Sequence, residues 1–526
     1  MTAPLLQVRN LTVRAGETEI LRGLSFDLHA GRTLALIGES GSGKSMTGLS
    51  LLGLLPRGVA YGDGCAISFD GAPLPLRDER GMRAFRGRRI GVVFQDPMAC
   101  LNPFMRVGTQ IGEALRRTGV RSAAARRRHI ADLLCEVELP DPAISARYPH
   151  EISGGQQQRV MIAMALACAP DLLIADEPTS ALDGTIAAEI VRLLATLQSR
   201  HGTAMLFITH DLSVAGALAH DIAVMNHGEI VETGSAETVL SRPEHPYSRR
   251  LVEARKALVG MPGHPTVRGA ACRAVARDLS VDYPAKGLFG RPVRAVHEAD
   301  LVLHEGRTLG ILGQSGSGKS TLAAALCGLR APATGSVRLL DETLTPSEPR
   351  LSRAQRRSVQ FVFQNPYGAL NPRLTVRRLL EEPLALAGAG GEAPAKIEAA
   401  LEEVGLEPAL AARYPHQLSG GQRQRVCIAR ALLCDPKILV CDEVVSALDM
   451  TVQLQILQLL KRLQAEHGFA MAFIGHDIEV VRWIADEIVV MHAGRLVDRF
   501  EVADLQAPQR HQQTRLLLSS VPPRAA

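Results

Sequence analysis

A repeat constrains the fold of this 526-residue chain more than any other feature. G-E-S-G-S-G-K-S, Gly38 to Ser45, returns as G-Q-S-G-S-G-K-S, Gly313 to Ser320. F-Q-D-P-M-A-C-L-N-P from Phe94 returns as F-Q-N-P-Y-G-A-L-N-P from Phe363. S-G-G-Q at Ser153 recurs at Ser419, Asp176–Glu177 recurs as Asp442–Glu443, and His210 recurs as His476. The two lysines lie 275 residues apart (319 − 44); the later motifs all lie 266 apart (419 − 153, 442 − 176, 476 − 210). Order and spacing are both kept, which is the signature of one domain present twice. The first copy is expected over 1–250 and the second over 273–526. Between them, 251–272 reads as a tail and linker, with G-M-P-G-H-P as its Gly/Pro punctuation.

The apolar runs place the motifs. T-L-A-L-I before Gly38 and T-L-G-I-L before Gly313 read as buried parallel strands, and the residues after Lys44 and Lys319 as helices. D-L-L-I-A-D-E, K-I-L-V-C-D-E, F-I-T-H-D and F-I-G-H-D are further strands that end in polar groups. Strands alternating with helices predict an α/β core in each half. Ligands bind such sheets at the C-terminal strand ends, where these polar groups fall.

A G-x-x-x-x-G-K-[ST] string between a strand and a helix is a phosphate-binding loop. Its backbone N–H groups converge on phosphate oxygens at the positive end of a helix. Gly38, Glu39, Ser40, Gly41, Ser42, Gly43 and Lys44 are the candidate cradle in the first half. In the second half the cradle is Gly313, Gln314, Ser315, Gly316, Ser317, Gly318 and Lys319. Ser45 and Ser320 are expected to ligate Mg²⁺, and Asp176 and Asp442 to hold it through its water shell. Glu177 and Glu443 are placed to orient the attacking water, and His210 and His476 to sense the γ-phosphate. The cofactors expected are therefore ATP and Mg²⁺.

These strings together with S-G-G-Q resemble the ABC ATPase family, over almost the whole chain. The resemblance implies two tandem P-loop NTPase domains, each with a RecA-like core, a small antiparallel β subdomain and a helical subdomain. It also implies that each ATP is held by one P-loop and the S-G-G-Q of the other half. The first site would then use Gly38 to Ser45, Gln95, Asp176, Glu177 and His210 with Ser419, Gly420, Gly421 and Gln422. The second would use Gly313 to Ser320, Gln364, Asp442, Glu443 and His476 with Ser153, Gly154, Gly155 and Gln156. Gln95 and Gln364 are carried over as metal and catalytic contacts. Tyr283 fits the aromatic that stacks on adenine in the family, whereas Ala15 stands at the matching place in the first half. Weaker ATP affinity is expected there, unless Arg14 stacks instead. Val444–Val445 replaces the Pro178–Thr179 pair and Ile152 replaces a usual leucine, but neither change removes a catalytic group.

Q-D-P-M-A-C-L-N-P, the two Y-P-H strings before S-G-G-Q, and H-P-Y-S-R-R-L from His245 are similar to the peptide/nickel importer branch. That implies an ATPase that energises uptake of di- or oligopeptides, glutathione, nickel or metal chelates. Its expected partners are two integral membrane permease subunits and a solute-binding protein. No run approaches the ~18 apolar residues that span a bilayer, so peripheral attachment at the cytoplasmic face of the inner membrane is expected. The alternative is a tandem ABC ATPase acting on ribosomes or DNA. A net charge of +5, from 59 basic and 54 acidic residues, gives no support for nucleic acid. Nine scattered cysteines without a C-x-x-C pair point to reduced thiols. The basic cluster from Arg116 to Arg128 reads as a solvated helical face, with a membrane partner, anionic lipid or nucleic acid as open alternatives.

Overall fold

Thr33–Ile37 and Ala204–Thr209 are buried along their whole length, as strands covered on both faces must be. In the computed structural model, which describes residues 3–116, 122–180, 182–260, 270–284, 292–386, 393–446 and 448–519, they sit at the centre of a six-stranded sheet. Its order is Glu229–Ser235, Asp221–Asn226, Thr33–Ile37, Ala204–Thr209, Leu172–Asp176, Ile90–Val93. All neighbours are parallel except the first pair, which is antiparallel. The second half repeats that order as Arg495–Glu501, Glu487–His492, Thr308–Gly313, Ala470–Gly475, Ile438–Asp442, Val359–Val362. The described residues fall into two compact units, one within Met1–Arg255 and the other within Lys256–Ser519.

This topology aligns the motifs. Thr33–Ile37, Ala204–Thr209 and Leu172–Asp176 are adjacent parallel strands, so Gly38, His210 and Asp176 leave one edge of the sheet side by side. The same holds for Gly313, His476 and Asp442.

Each core carries the expected antiparallel sheet. In the first half Thr18–Leu28 pairs with Leu6–Ala15, which pairs in turn with Ala66–Phe69. Its buried residues alternate (Leu6, Val8, then Leu11, Val13 after an irregularity), as one covered face requires. In the second half Val293–His304, Cys272–Tyr283 and Thr334–Leu339 form the matching sheet. The first sheet has an additional short strand, Val59–Tyr61, paired with Val13–Ala15.

Helices Val107–Leu115, Ala123–Glu136 and Gly154–Leu166 form the helical subdomain and bury apolar residues in a cluster shared with core strands such as Leu172–Asp176 and Ala204–Thr209. Val376–Leu386, Ala393–Glu403 and Gly420–Leu432 are their counterparts. Within the basic cluster, Arg127 and Arg128 are exposed on helix Ala123–Glu136; residues 117–121 lie outside the described residues. Helix Pro246–Val259 carries the first tail beyond position 250, and 261–269 of the expected linker lie outside the described residues. All nine cysteines are free thiols.

Candidate active sites

Each phosphate loop is closed by glycines that no other residue could replace without rearrangement. Gly43 and Gly318 cap the helices Lys44–Leu51 and Lys319–Leu326 with φ of 101° and 102°, in the region where L side chains are strained. A Cβ on Gly38 would lie 2.2 Å from the Met225 carbonyl oxygen, and one on Gly313 would lie 2.4 Å from that of Met491. The loop therefore hugs the neighbouring strand end.

Lys44 and Lys319 are buried, and their ammonium groups fold back onto their own loops. Lys44 Nζ donates to the carbonyls of Gly38 (2.8 Å) and Glu39 (2.9 Å). Lys319 Nζ donates to those of Gly313 (2.7 Å) and Gln314 (2.9 Å) and lies 3.9 Å from Glu443 Oε1. Inside each loop a buried hydroxyl, Ser42 Oγ or Ser317 Oγ, has no hydrogen-bond partner. A buried unpaired hydroxyl is costly, and an anion in the cradle would accept from it.

The polar strand ends meet in two matching clusters. Ser45 Oγ donates to Asp176 Oδ1 at 3.0 Å, and Ser320 Oγ to Asp442 Oδ1 at 3.2 Å. Gln95 Nε2 donates to Glu177 Oε2 at 3.3 Å, and Gln364 Nε2 to Glu443 Oε2 at 2.9 Å. His210 Nδ1 lies 3.2 Å from Glu177 Oε1, and His476 Nδ1 lies 3.3 Å from Glu443 Oε2. The donors around Asp176 and Asp442 are a hydroxyl, a carboxylate and an amide, all oxygen ligands of the hardness Mg²⁺ requires.

The two acids of each pair are driven apart electrostatically. Burial, with the Glu177 charge beside it, pushes the Asp176 carboxyl up, and burial with Glu443 does the same to Asp442. Burial also acts on Glu177, but the hydrogen bond and charge of His210, helped by Lys44, outweigh it and hold this carboxyl below its ordinary value. At Glu443 the hydrogen bond from His476 leads the same lowering. Reciprocally, the Glu177 hydrogen bond raises His210. Both glutamates are held in the left-handed region, at φ 44° and 47°. Strain of this kind persists only where surrounding structure over-determines it. Here the amide of Glu177 bonds to the Ile208 carbonyl and that of Glu443 to the Ile474 carbonyl.

The S-G-G-Q segments open the helices Gly154–Leu166 and Gly420–Leu432. Ser153 Oγ accepts from the Gln156 amide at 3.3 Å while Gln156 Oε1 accepts from the Ser153 amide at 3.0 Å. Ser419 and Gln422 form the same capping box. Ser153, Gly154, Ser419 and Gly420 are exposed. Val444 and Val445 are buried, and Ser446 Oγ still closes its turn on the Glu443 carbonyl (2.9 Å), as Ser180 does on Glu177 (3.1 Å). The Val-Val departure is a packing change.

Tyr283 is 39% exposed at the end of strand Cys272–Tyr283. Arg14 is tied to Glu19, with Nε 3.0 Å from its carboxylate, so its guanidinium is already engaged. Sequence reasoning missed two contacts. Tyr247 is buried and its hydroxyl accepts from the Glu39 amide at 3.0 Å, so the tail helix grips the first phosphate loop. The H-P-Y string was visible, but only folding brings it to a residue 208 positions earlier. Arg330, which lies over Tyr283, had no motif to mark it.

The description "ABC transporter" matches residues 21–180 and 296–446, more than half of the chain. The chain belongs to the ABC transporter family. As an ABC ATPase with two tandem cassettes, it binds and hydrolyses ATP. It is 43% identical to the peptidoglycan transport ATP-binding protein YejF of Agrobacterium fabrum, over 99% of this chain and 96% of that protein. It is 41% identical to the glutathione import ATP-binding protein GsiA of Pectobacterium atrosepticum and 40% identical to that of Escherichia coli K12, in each case over 98% of this chain and 89% of the relative. Among the described residues, no helix is long and apolar enough to cross a membrane.

Proposed function

We propose that this ABC ATPase energises import of a di- or oligopeptide, glutathione or a related small solute such as nickel or a metal chelate. Full-length similarity to a peptidoglycan transport ATP-binding protein and to glutathione import ATP-binding proteins carries this reading. Two integral permeases would receive the work and a solute-binding protein would deliver cargo, with the ABC ATPase held peripherally at the cytoplasmic face of the inner membrane.

Within each site, Lys44 or Lys319 exchanges its loop carbonyls for the β- and γ-phosphates, and the free Ser42 or Ser317 hydroxyl gains an acceptor. Ser45 with Asp176, and Ser320 with Asp442, would hold Mg²⁺, Gln95 and Gln364 adding their amide oxygens; the ion supplies neutralising charge across the phosphate oxygens. Glu177 and Glu443, kept ionised by their histidines, accept a hydrogen bond from the attacking water and aim it at the γ-phosphorus. His210 and His476 can turn from the glutamate to the γ-phosphate. We assign Ser153 to Gln156 to the ATP held by Lys319, and Ser419 to Gln422 to the ATP held by Lys44. Exposed hydroxyls and amides at a helix start suit that second anion contact.

Uptake of labelled dipeptides, glutathione and nickel in a deletion strain, restored by the intact gene but not by a Glu177→Gln/Glu443→Gln double variant, tests the function. Normal uptake of all three solutes without the protein would overturn it.

A further inference from the structure

The end of strand Cys272–Tyr283 is held by two contacts that no catalytic role requires. Tyr283 Oη lies 3.1 Å from Thr321 Oγ1, and the Arg330 guanidinium carbon lies 4.1 Å above the centre of the Tyr283 ring. Thr321 directly follows Lys319 and Ser320 on helix Lys319–Leu326. The hydroxyl contact therefore fixes the ring in height relative to the phosphate cradle. A guanidinium at this distance covers one ring face with a cation–π contact and fixes its tilt. The residue nevertheless stays exposed, at 39%, despite both contacts.

The first half lacks all three groups together. Counting back 275 residues, the phosphate-loop offset, puts Met46 at Thr321 and Leu55 at Arg330, and Ala15 stands for Tyr283. Met46 and Leu55 pack against an apolar cluster with Val59 and Tyr61. Strand Val59–Tyr61 runs along the Ala15 end, pairing Ala15 with Val59 and Val13 with Tyr61. Tyr61 packs against that same cluster, with its hydroxyl donating to the Ser50 carbonyl at 2.6 Å. One half thus builds a propped aromatic surface, and the other has none of its three groups at the matching positions.

We propose that Thr321 and Arg330 are positioning residues that hold Tyr283 as a base platform, so that the second phosphate loop selects for the nucleobase while the first recognises the triphosphate alone. This rests on the reading of Tyr283 as the nucleotide contact. Pre-setting the ring means that binding ATP does not have to order it, and preorganisation of this kind raises affinity without new contacts.

The test uses the full chain with Lys44→Ala, which leaves one intact phosphate loop, and compares ATP with inorganic tripolyphosphate, which has no base. The Kd for tripolyphosphate divided by the Kd for ATP isolates the base. Tyr283→Ala should reduce that ratio by about tenfold, the scale of one base–aromatic stack. Arg330→Ala and Thr321→Val should each reduce it roughly two- to fivefold, with tripolyphosphate binding and the unfolding midpoint unchanged. Arg330→Lys, which keeps the cation, should recover part of the loss. In the reciprocal chain, with Lys319→Ala, the ratio should stay near one. If Tyr283→Ala lowers the ratio while Arg330→Ala and Thr321→Val leave it intact, the positioning role is overturned and the platform reading stands. A ratio unmoved by Tyr283→Ala overturns both. Tighter ATP binding in Arg330→Ala would show Arg330 competing with the base, which also overturns the proposal.

Discussion

Glu177 and Glu443 carry the greatest chemical demand of any residues here, and their surroundings show how it is met. A carboxylate beside a second carboxylate, half withdrawn from water, would ordinarily keep its proton up to a higher pH. His210 and His476 prevent this at the glutamates, and the aspartates take the upward shift instead. The pH consequence has a definite sign. Removing the imidazoles leaves burial opposed mainly by Lys44 and Lys319, so the glutamate pKa rises and on acidification the carboxyls take up their proton at a higher pH. A His210→Gln/His476→Gln double variant should therefore show the acid limb of its ATPase profile displaced upward; a limb that moves down or stays in place refutes the coupling. Glu177→Gln and Glu443→Gln, made separately, should each cut steady-state ATP turnover by about half or more, since an oriented general base is worth about 10²–10⁴ at its own site. Full turnover in either single variant would mean that the site does not hydrolyse. The residue types at these positions were legible from sequence, because Asp-Glu after an apolar strand is a spaced motif. Their left-handed backbone was not, because a φ of 44° at a glutamate is imposed by the neighbouring strand and has no local cause.

At the scale of elements, the strand–loop–helix unit is where sequence and structure agree most closely. T-L-A-L-I and T-L-G-I-L are strands for the reason expected: both faces are covered, so alternation is unnecessary. The two loops are not equally tolerant, however. A Cβ on Gly318 would meet the Ala295 carbonyl oxygen at 2.5 Å, which is backbone, whereas one on Gly43 would meet the tip of Leu21 at 2.6 Å, which can turn away. Both substitutions also force alanine to φ near 100°, at ~1–3 kcal/mol. Gly318→Ala should thus destabilise its half more than Gly43→Ala does, as read by chemical unfolding of the full chain; the reverse order would contradict this packing. What the pattern of residues hid at this scale was strand Val59–Tyr61. Three residues with little alternation carry no period, and only pairing with Val13–Ala15 makes them a strand.

At the scale of the whole molecule the duplication sets the function. Two copies in one chain guarantee a one-to-one ratio of phosphate loops and S-G-G-Q segments, whatever the expression level. If each nucleotide needs both halves, the defects should cross. In a chain whose first loop is disabled by Lys44→Ala, Ser153→Arg should abolish the remaining ATP-dependent activity, while Ser419→Arg should add little. Equal effects of the two arginines would refute the cross-assignment of the S-G-G-Q segments. Membrane fractions should retain the protein only when integral partner subunits are co-expressed, which co-purification would establish.

Sequence alone determined the duplication, the α/β class and nearly every candidate site residue. Each of these is written in short strings whose spacing is set by local geometry: a loop that must wrap a phosphate, a strand that must end in a carboxylate, a helix that must begin with a cap. Only the tertiary structure decided which distant groups support them. His210 reaches Glu177 because parallel strands bring their ends together, while Tyr247 reaches Glu39 from the tail helix and Tyr283, on the antiparallel sheet, meets Thr321 and Arg330 across long separations. Those contacts depend on burial and on what each side chain finds opposite it, and neither is encoded in a local pattern.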